Sequence, residues 1–207
     1  PPVHTKENTM SLIQSTSAVS TIVPSRRAFM GRSGALSAVA VALLAGQDVM
    51  AQGMKGDAAG DVAILNVALG LEHEAISAYQ LGAGSGLLQK PVLDVAVQFQ
   101  GHHKTHRDAL MATIRKLGGQ PVAEKSLDDY AKALNAAALK SQGDVLDLAA
   151  RLELGAANAY LSVIPSMRDR DLAKVAARLA ADETMHFTVL NNALGRPLPP
   201  GALSFGA

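Results

Sequence analysis

The sequence predicts an all-α fold: a four-helix bundle of two antiparallel helical hairpins joined by a long crossover, behind an N-terminal signal segment. Three observations predict it. Apolar residues beyond position 51 recur at three- and four-residue spacings, with no sustained alternation of β-branched residues that would mark strands. Glycine and proline divide this periodic region into four long pieces. The first and third pieces, and the second and fourth, repeat one another.

The first helix is expected from about Asp61 to Leu81, stopping at Gly82-Ala83-Gly84-Ser85-Gly86. The second starts near Pro91, whose fixed φ suits a first helical turn, and runs to Leu117 before Gly118-Gly119. The third runs from about Asp144 to Ile164 and is ended by Pro165. The fourth runs from about Asp169 to Leu194, with Gly195 and then Pro197 beyond it. Short loops make the first and second, and the third and fourth, antiparallel neighbours. The longer connection between Leu117 and Asp144 carries a short amphipathic piece around Leu127 to Leu139 and reads as a crossover strap. Asp128-Asp129 and Arg168-Asp169-Arg170-Asp171 read as solvated helix starts, and Arg196–Ala207 has little periodicity. The domain is expected over 52–207, with its bundle core at 61–194.

Residues 1–51 read as an address. Ser25-Arg26-Arg27-Ala28-Phe29-Met30 is followed by an Ala/Val/Leu/Gly run from about Gly34 to Ala45, then Val49-Met50-Ala51 before Gln52. This is the layout of a bacterial export signal, and the paired arginines point to the twin-arginine route, which makes that export machinery the expected partner and the periplasm the expected location. The apolar run is shorter than the roughly 20 helical residues a bilayer needs, so stable membrane insertion is not expected. An uncleaved anchor and a basic tail beside a short core helix stay open as alternatives, and Met10 is a candidate start. Removing residues 1–51 takes away four basic residues (Lys6, Arg26, Arg27, Arg32) and two acidic ones (Glu7, Asp48), leaving 15 against 16.

The whole chain has 207 residues and a formal charge of +1, which gives no ground for a nucleic-acid partner. It has no cysteine, so disulfides, thiolate nucleophiles, Cys zinc sites and Cys-ligated clusters are excluded. Any metal chemistry must use His, Asp and Glu.

The repeat locates those residues. Leu71-Glu72-His73-Glu74-Ala75-Ile76-Ser77-Ala78-Tyr79 shares L-E-x-x-A-x-x-A-Y with Leu152-Glu153-Leu154-Gly155-Ala156-Ala157-Asn158-Ala159-Tyr160. His103-Lys104-Thr105-His106-Arg107-Asp108-Ala109-Leu110 shares [H/E]-x-x-H-x-x-x-L with Glu183-Thr184-Met185-His186-Phe187-Thr188-Val189-Leu190. In every helix the ionisable residues interrupt the apolar stripe near its middle: Glu72, His103 and His106, Glu153, Glu183 and His186. Residues three apart on a helix aim at one point, and Glu and Tyr seven apart stand two turns up one face. Each unpaired buried ion costs on the order of several kcal/mol, a large share of the roughly 5–15 kcal/mol that holds a domain together. Salt bridges to protonated histidines relieve part of this. Two divalent cations relieve it better, since they neutralise carboxylates and accept neutral imidazoles.

These residues resemble those of the ferritin-like superfamily of carboxylate-bridged di-iron and di-manganese bundles. Its ligand set is one Glu from each of two helices plus Glu-x-x-His from each of the other two. Glu72 and Glu153 match the single glutamates, Glu183 and His186 a complete Glu-x-x-His, and His106 the other histidine. His103 stands where the family has Glu, which leaves three carboxylates against four metal charges, with hydroxide or a weak second position as ways to close the deficit. A register of Gln100-x-x-His103 is the alternative, but it breaks the repeat.

The resemblance is closest to exported bacterial ferritin-like proteins. It implies two Fe or Mn ions, oxidation of Fe(II), and reaction with a small oxidant such as O2 or peroxide, in a chain able to form a homo-oligomer. A metal-sequestering or stress-protective bundle that has partly or wholly lost the site is the alternative. Tyr79 and Tyr160 are expected as core tyrosines or as donors to a ligand carboxylate. His73 and His102 are expected on a flank or at the surface, Glu74 facing water, and Met185 in the core.

Overall fold

The computed structural model describes residues 58–206; the expected export segment lies outside them. The described residues form five α-helices: α1 (Ala58–Gly84), α2 (Lys90–Lys116), α3 (Leu127–Ala133), α4 (Gln142–Val163) and α5 (Arg170–Ala193). Short 3₁₀ turns follow at Ala136–Ala138 and Ile164–Ser166. None of these helices is long and apolar enough to cross a membrane.

The helix ends follow from local chemistry. Pro91 sits in the first turn of α2, and the chain leaves that helix through Gly118 at φ 81°, with Gly119 N–H donating to the Ile114 carbonyl at 2.9 Å. Ser126 caps α3 through the Asp129 amide. Ser141 and Asp144 cap α4 reciprocally, so that helix begins two residues before the expected Asp144. Asp169 caps α5, and Gly195 at φ 67° ends it. One boundary differs in kind. α1 continues through Gly82 to Gly84, because Gly82 serves packing: a Cβ there would lie 2.9 Å from Cγ1 of Val145 on α4. The turn falls at Gly86, φ 72°.

α1 with α2 and α4 with α5 make the two tightly packed pairs, and α1 also packs on α4. Leu65, Leu69, Leu110, Ile114, Leu172 and Leu179 fill one end of the bundle. Phe99, Leu146, Ala150, Phe187 and Leu190 fill the other. The polar residues of the four stripes lie between these layers. Phe205, in the tail, returns against Phe187 with ring centroids 5.8 Å apart.

The strap does more than connect. Tyr130 and Leu134 pack on Ala78, with Leu81, Leu148 and Leu152 around them. Asn66 Nδ2 donates to the Gln120 carbonyl at 3.0 Å, and its Oδ1 accepts from the Val122 amide at 2.7 Å. His73 Nε2 donates to the Val122 carbonyl at 3.3 Å. α1 is therefore covered on its outer face as well as its inner one, and every residue from 71 to 79 is buried. This overturns two expectations. Glu74 does not face water and His73 is not a surface residue; they are 3% and 4% exposed. A third expectation also fails: Met185 is 45% exposed, because it lies about 200° around α5 from Glu183 and points away from the core.

Candidate metal centre

The six stripe residues converge. Glu72, His103, Glu153, Glu183 and His186 are each no more than 1% exposed, and His106 is 6%. They form two overlapping groups whose potential ligand atoms lie within 4.8 Å of one another: Glu72, His103, His106 and Glu183, and His103, Glu153, Glu183 and His186.

Glu183 stands between the halves. Its Oε1 is 3.2 Å from His106 Nδ1, and its Oε2 is 3.3 Å from His186 Nδ1. Glu72 lies on the His106 side, at 3.6 Å from Nδ1, and Glu153 on the His186 side, at 3.3 Å. His103 closes the remaining side. Its Nδ1 donates to Glu72 Oε2 at 2.8 Å and its Nε2 to Glu153 Oε1 at 3.1 Å. Carboxylates only accept, so both ring nitrogens carry hydrogen and His103 is an imidazolium.

The tyrosines cross between hairpins. Tyr79 of α1 donates to Glu153 of α4 at 2.5 Å, and Tyr160 of α4 donates to Glu72 of α1. Burial, reinforced by those carboxylates, pushes both phenols well above their ordinary range, so both stay neutral donors.

Two further residues complete the pattern. His106 Nε2 donates to Asp182 Oδ2 at 3.2 Å. His186 Nε2 lies 2.9 Å from His102 Nδ1. Burial and then the neighbouring His186 hold His102 below the usual imidazole range, while the carboxylates around His186 lift it against its burial. The two imidazoles therefore share one hydrogen bond between α2 and α5. Each outer partner turns Nδ1 of its histidine inward. Sequence reasoning placed His102 on a flank and passed over Asp182. His102 is indeed partly exposed, yet it joins the site. The signal was available: 102 and 182 are equivalent positions in the repeat, each four residues before a site histidine.

The charges are strongly coupled. Burial opposes ionisation of His103, but Glu153, Glu72 and Glu183 hold it well above the normal range. Burial is likewise outweighed at His106, which Glu183 and Glu72 raise to about 10. Glu153 is held well below the carboxylate range by His103 against its burial, and Glu72 is lowered by His103 and His106. Burial and the adjacent Glu153 raise Glu183 to about 7.

The donor set fits divalent metal. His106 Nδ1 and Glu183 Oε1 are buried, face each other, and have no hydrogen-bond partner despite their 3.2 Å separation. Neighbouring ligand atoms around one cation, each about 2.1 Å from it, stand about 3 Å apart. Buried His and Glu groups of this kind could bind metal ions.

Residues 60–196 match the family described as Ferritin-like domain. The chain belongs to that family. The fold of this ferritin-like domain is also similar to a solved structure, a conserved hypothetical protein, rv2844, from Mycobacterium tuberculosis. The TM-score is 0.55 at 23% identity, over 68% of this chain and 94% of that one. At that identity the likeness concerns the fold alone. No curated protein matches the chain.

Proposed function

We propose that this ferritin-like bundle holds two iron or manganese ions between its helices, in a protein exported by the twin-arginine route, and that its work is redox chemistry with Fe(II), dioxygen or peroxide. The observation that carries the reading is Glu183, buried completely, with one oxygen toward each inward-facing histidine and Oε1 left without a partner. Glu72, Glu183 and His106 would hold one ion, and Glu153, Glu183 and His186 the other, with His103 beside both. When bound, such a pair supplies electron transfer and Lewis-acid activation of a small oxidant.

The chain's own residues do the rest. Asp182 and His102 fix the two imidazoles so that Nδ1 faces inward. Tyr79 and Tyr160 hold one oxygen each of Glu153 and Glu72, limiting how those carboxylates swing. The apolar layers on either side exclude water. His103 carries protons where the ferritin-like ligand set has a fourth carboxylate; loading requires it to give up a proton.

One observation favours a second reading. The His103 imidazolium already satisfies both Glu72 and Glu153, so the bundle has an internal counter-ion and a metal-poor or purely sequestering protein is consistent with it. Elemental analysis with an optical spectrum, on protein purified from cells that export it, separates the readings. Iron or manganese near two per chain supports the proposal. Absence of both, with unchanged melting in Glu183→Ala, overturns it.

A further inference from the structure

Below the centre, at the end of the bundle filled by Phe99 and Leu190, the helices leave a cavity of about 240 Å³. Its walls come from all four long helices and include Ala78, Val92, Ala96, Leu146, Ala149 and Val189. Interiors of folded proteins are close-packed, so a void of this size at the meeting of four helices needs a reason. Here the reason lies in alanines at wall positions where a larger side chain would close the space; Gly82 contributes little, since Val145 already fills the place of its Cβ. Val189, in the wall, is 40% exposed.

The lining defines the occupant. Tyr79 has the one polar side chain in the wall, and its hydroxyl is committed to Glu153. No side chain of the wall is free to pair with a charge or take up a donor, so a charged or strongly polar guest would lose its hydration with little compensation. An apolar cavity of about 150 Å³ accepts benzene, so this one accepts about ten carbons. We propose that the cavity is a binding site for an uncharged hydrocarbon-like molecule of that size, seated one tyrosine ring away from Glu153. The proposal goes beyond the metal reading and does not depend on it.

Naphthalene is the probe: ten carbons and no charge. The chain has no tryptophan and three tyrosines, so the probe's emission is read at longer wavelength than the tyrosine background. Full-length protein is titrated twice, with EDTA and with Mn(II), so that failure here leaves the metal proposal standing and the reverse. Saturable binding at one site per chain is expected. Ala149→Phe, whose ring would enter the cavity, should weaken binding at least tenfold while keeping its melting cooperative; Val92→Phe replaces it should that variant not fold. Naphthalene-1-carboxylate should bind at least tenfold more weakly than naphthalene. Non-saturable uptake, unchanged affinity in a folded filled variant, or equal binding of the carboxylate overturns the proposal.

Discussion

His103 spans Glu72 and Glu153 with a proton on each ring nitrogen, so metal and protons compete for the same interior. This sets the pH dependence of the metal-free protein. His106, His103 and His186 all have folded pKa values above 6.5, His106 near 10, and Glu183 is raised to about 7 from 4.5. A group with a raised folded pKa holds more protons folded than unfolded, and its stabilisation disappears as pH climbs through the folded value. The melting temperature of EDTA-treated protein should therefore fall steadily from pH 6.5 to 10, while manganese affinity rises over the same range. A flat or rising melting curve would show that these histidines are not held as cations. The tyrosines give a second expectation. Tyr79→Phe removes one of the two donors to Glu153 Oε1 and leaves the His103 N–H, and the loss of that hydrogen bond to a charged group costs about 1.5–3 kcal/mol in urea denaturation of the metal-free protein. The six central residues were readable because a repeat and an interrupted stripe mark them twice. Glu74 and His73 were not, because a helical wheel gives angles within one helix and cannot say what crosses over its far face.

At the scale of elements, the helices themselves were legible through their apolar spacing, glycines and prolines. The exception was Gly82, where the same residue that ends helices elsewhere lets two helices approach. Propensity alone says that alanine improves a helix interior by about 1 kcal/mol over glycine. Here the added methyl would meet Val145 at 2.9 Å, and overpacking of this kind costs about 1–3 kcal/mol. Gly82→Ala should destabilise the fold in urea denaturation, and Val145→Ala in the same chain should recover part of the loss. A stabilising Gly82→Ala would mean that α1 and α4 are less tightly packed there. The strap's route was beyond sequence reasoning for a related reason. Its anchors are Tyr130, Leu134 and the reciprocal bonds of Asn66 to the 120–122 backbone, contacts made between segments far apart in the chain.

The molecule as a whole repeats one plan twice. Glu and Tyr from α1 are answered by Glu and Tyr from α4, and His102-His103-x-x-His106 on α2 by Asp182-Glu183-x-x-His186 on α5. Tyrosine and outer-partner bonds run from each hairpin to the other, so the centre ties the two hairpins together. The plan is broken at two neighbouring places, where His102 answers Asp182 and His103 answers Glu183. A cation that binds only the folded form stabilises it by mass action, by about 2.7 kcal/mol at a hundred times its dissociation constant. Equilibrium titration of the metal-free protein with Mn(II) at pH 7.5, followed by metal analysis and melting, tests this directly. Two ions per chain, a rise in melting temperature on loading, and loss of both in Glu183→Ala are expected. Wild-type protein that takes up no Mn(II), and melts at one temperature with and without it, would mean that the six central residues do not form a metal centre.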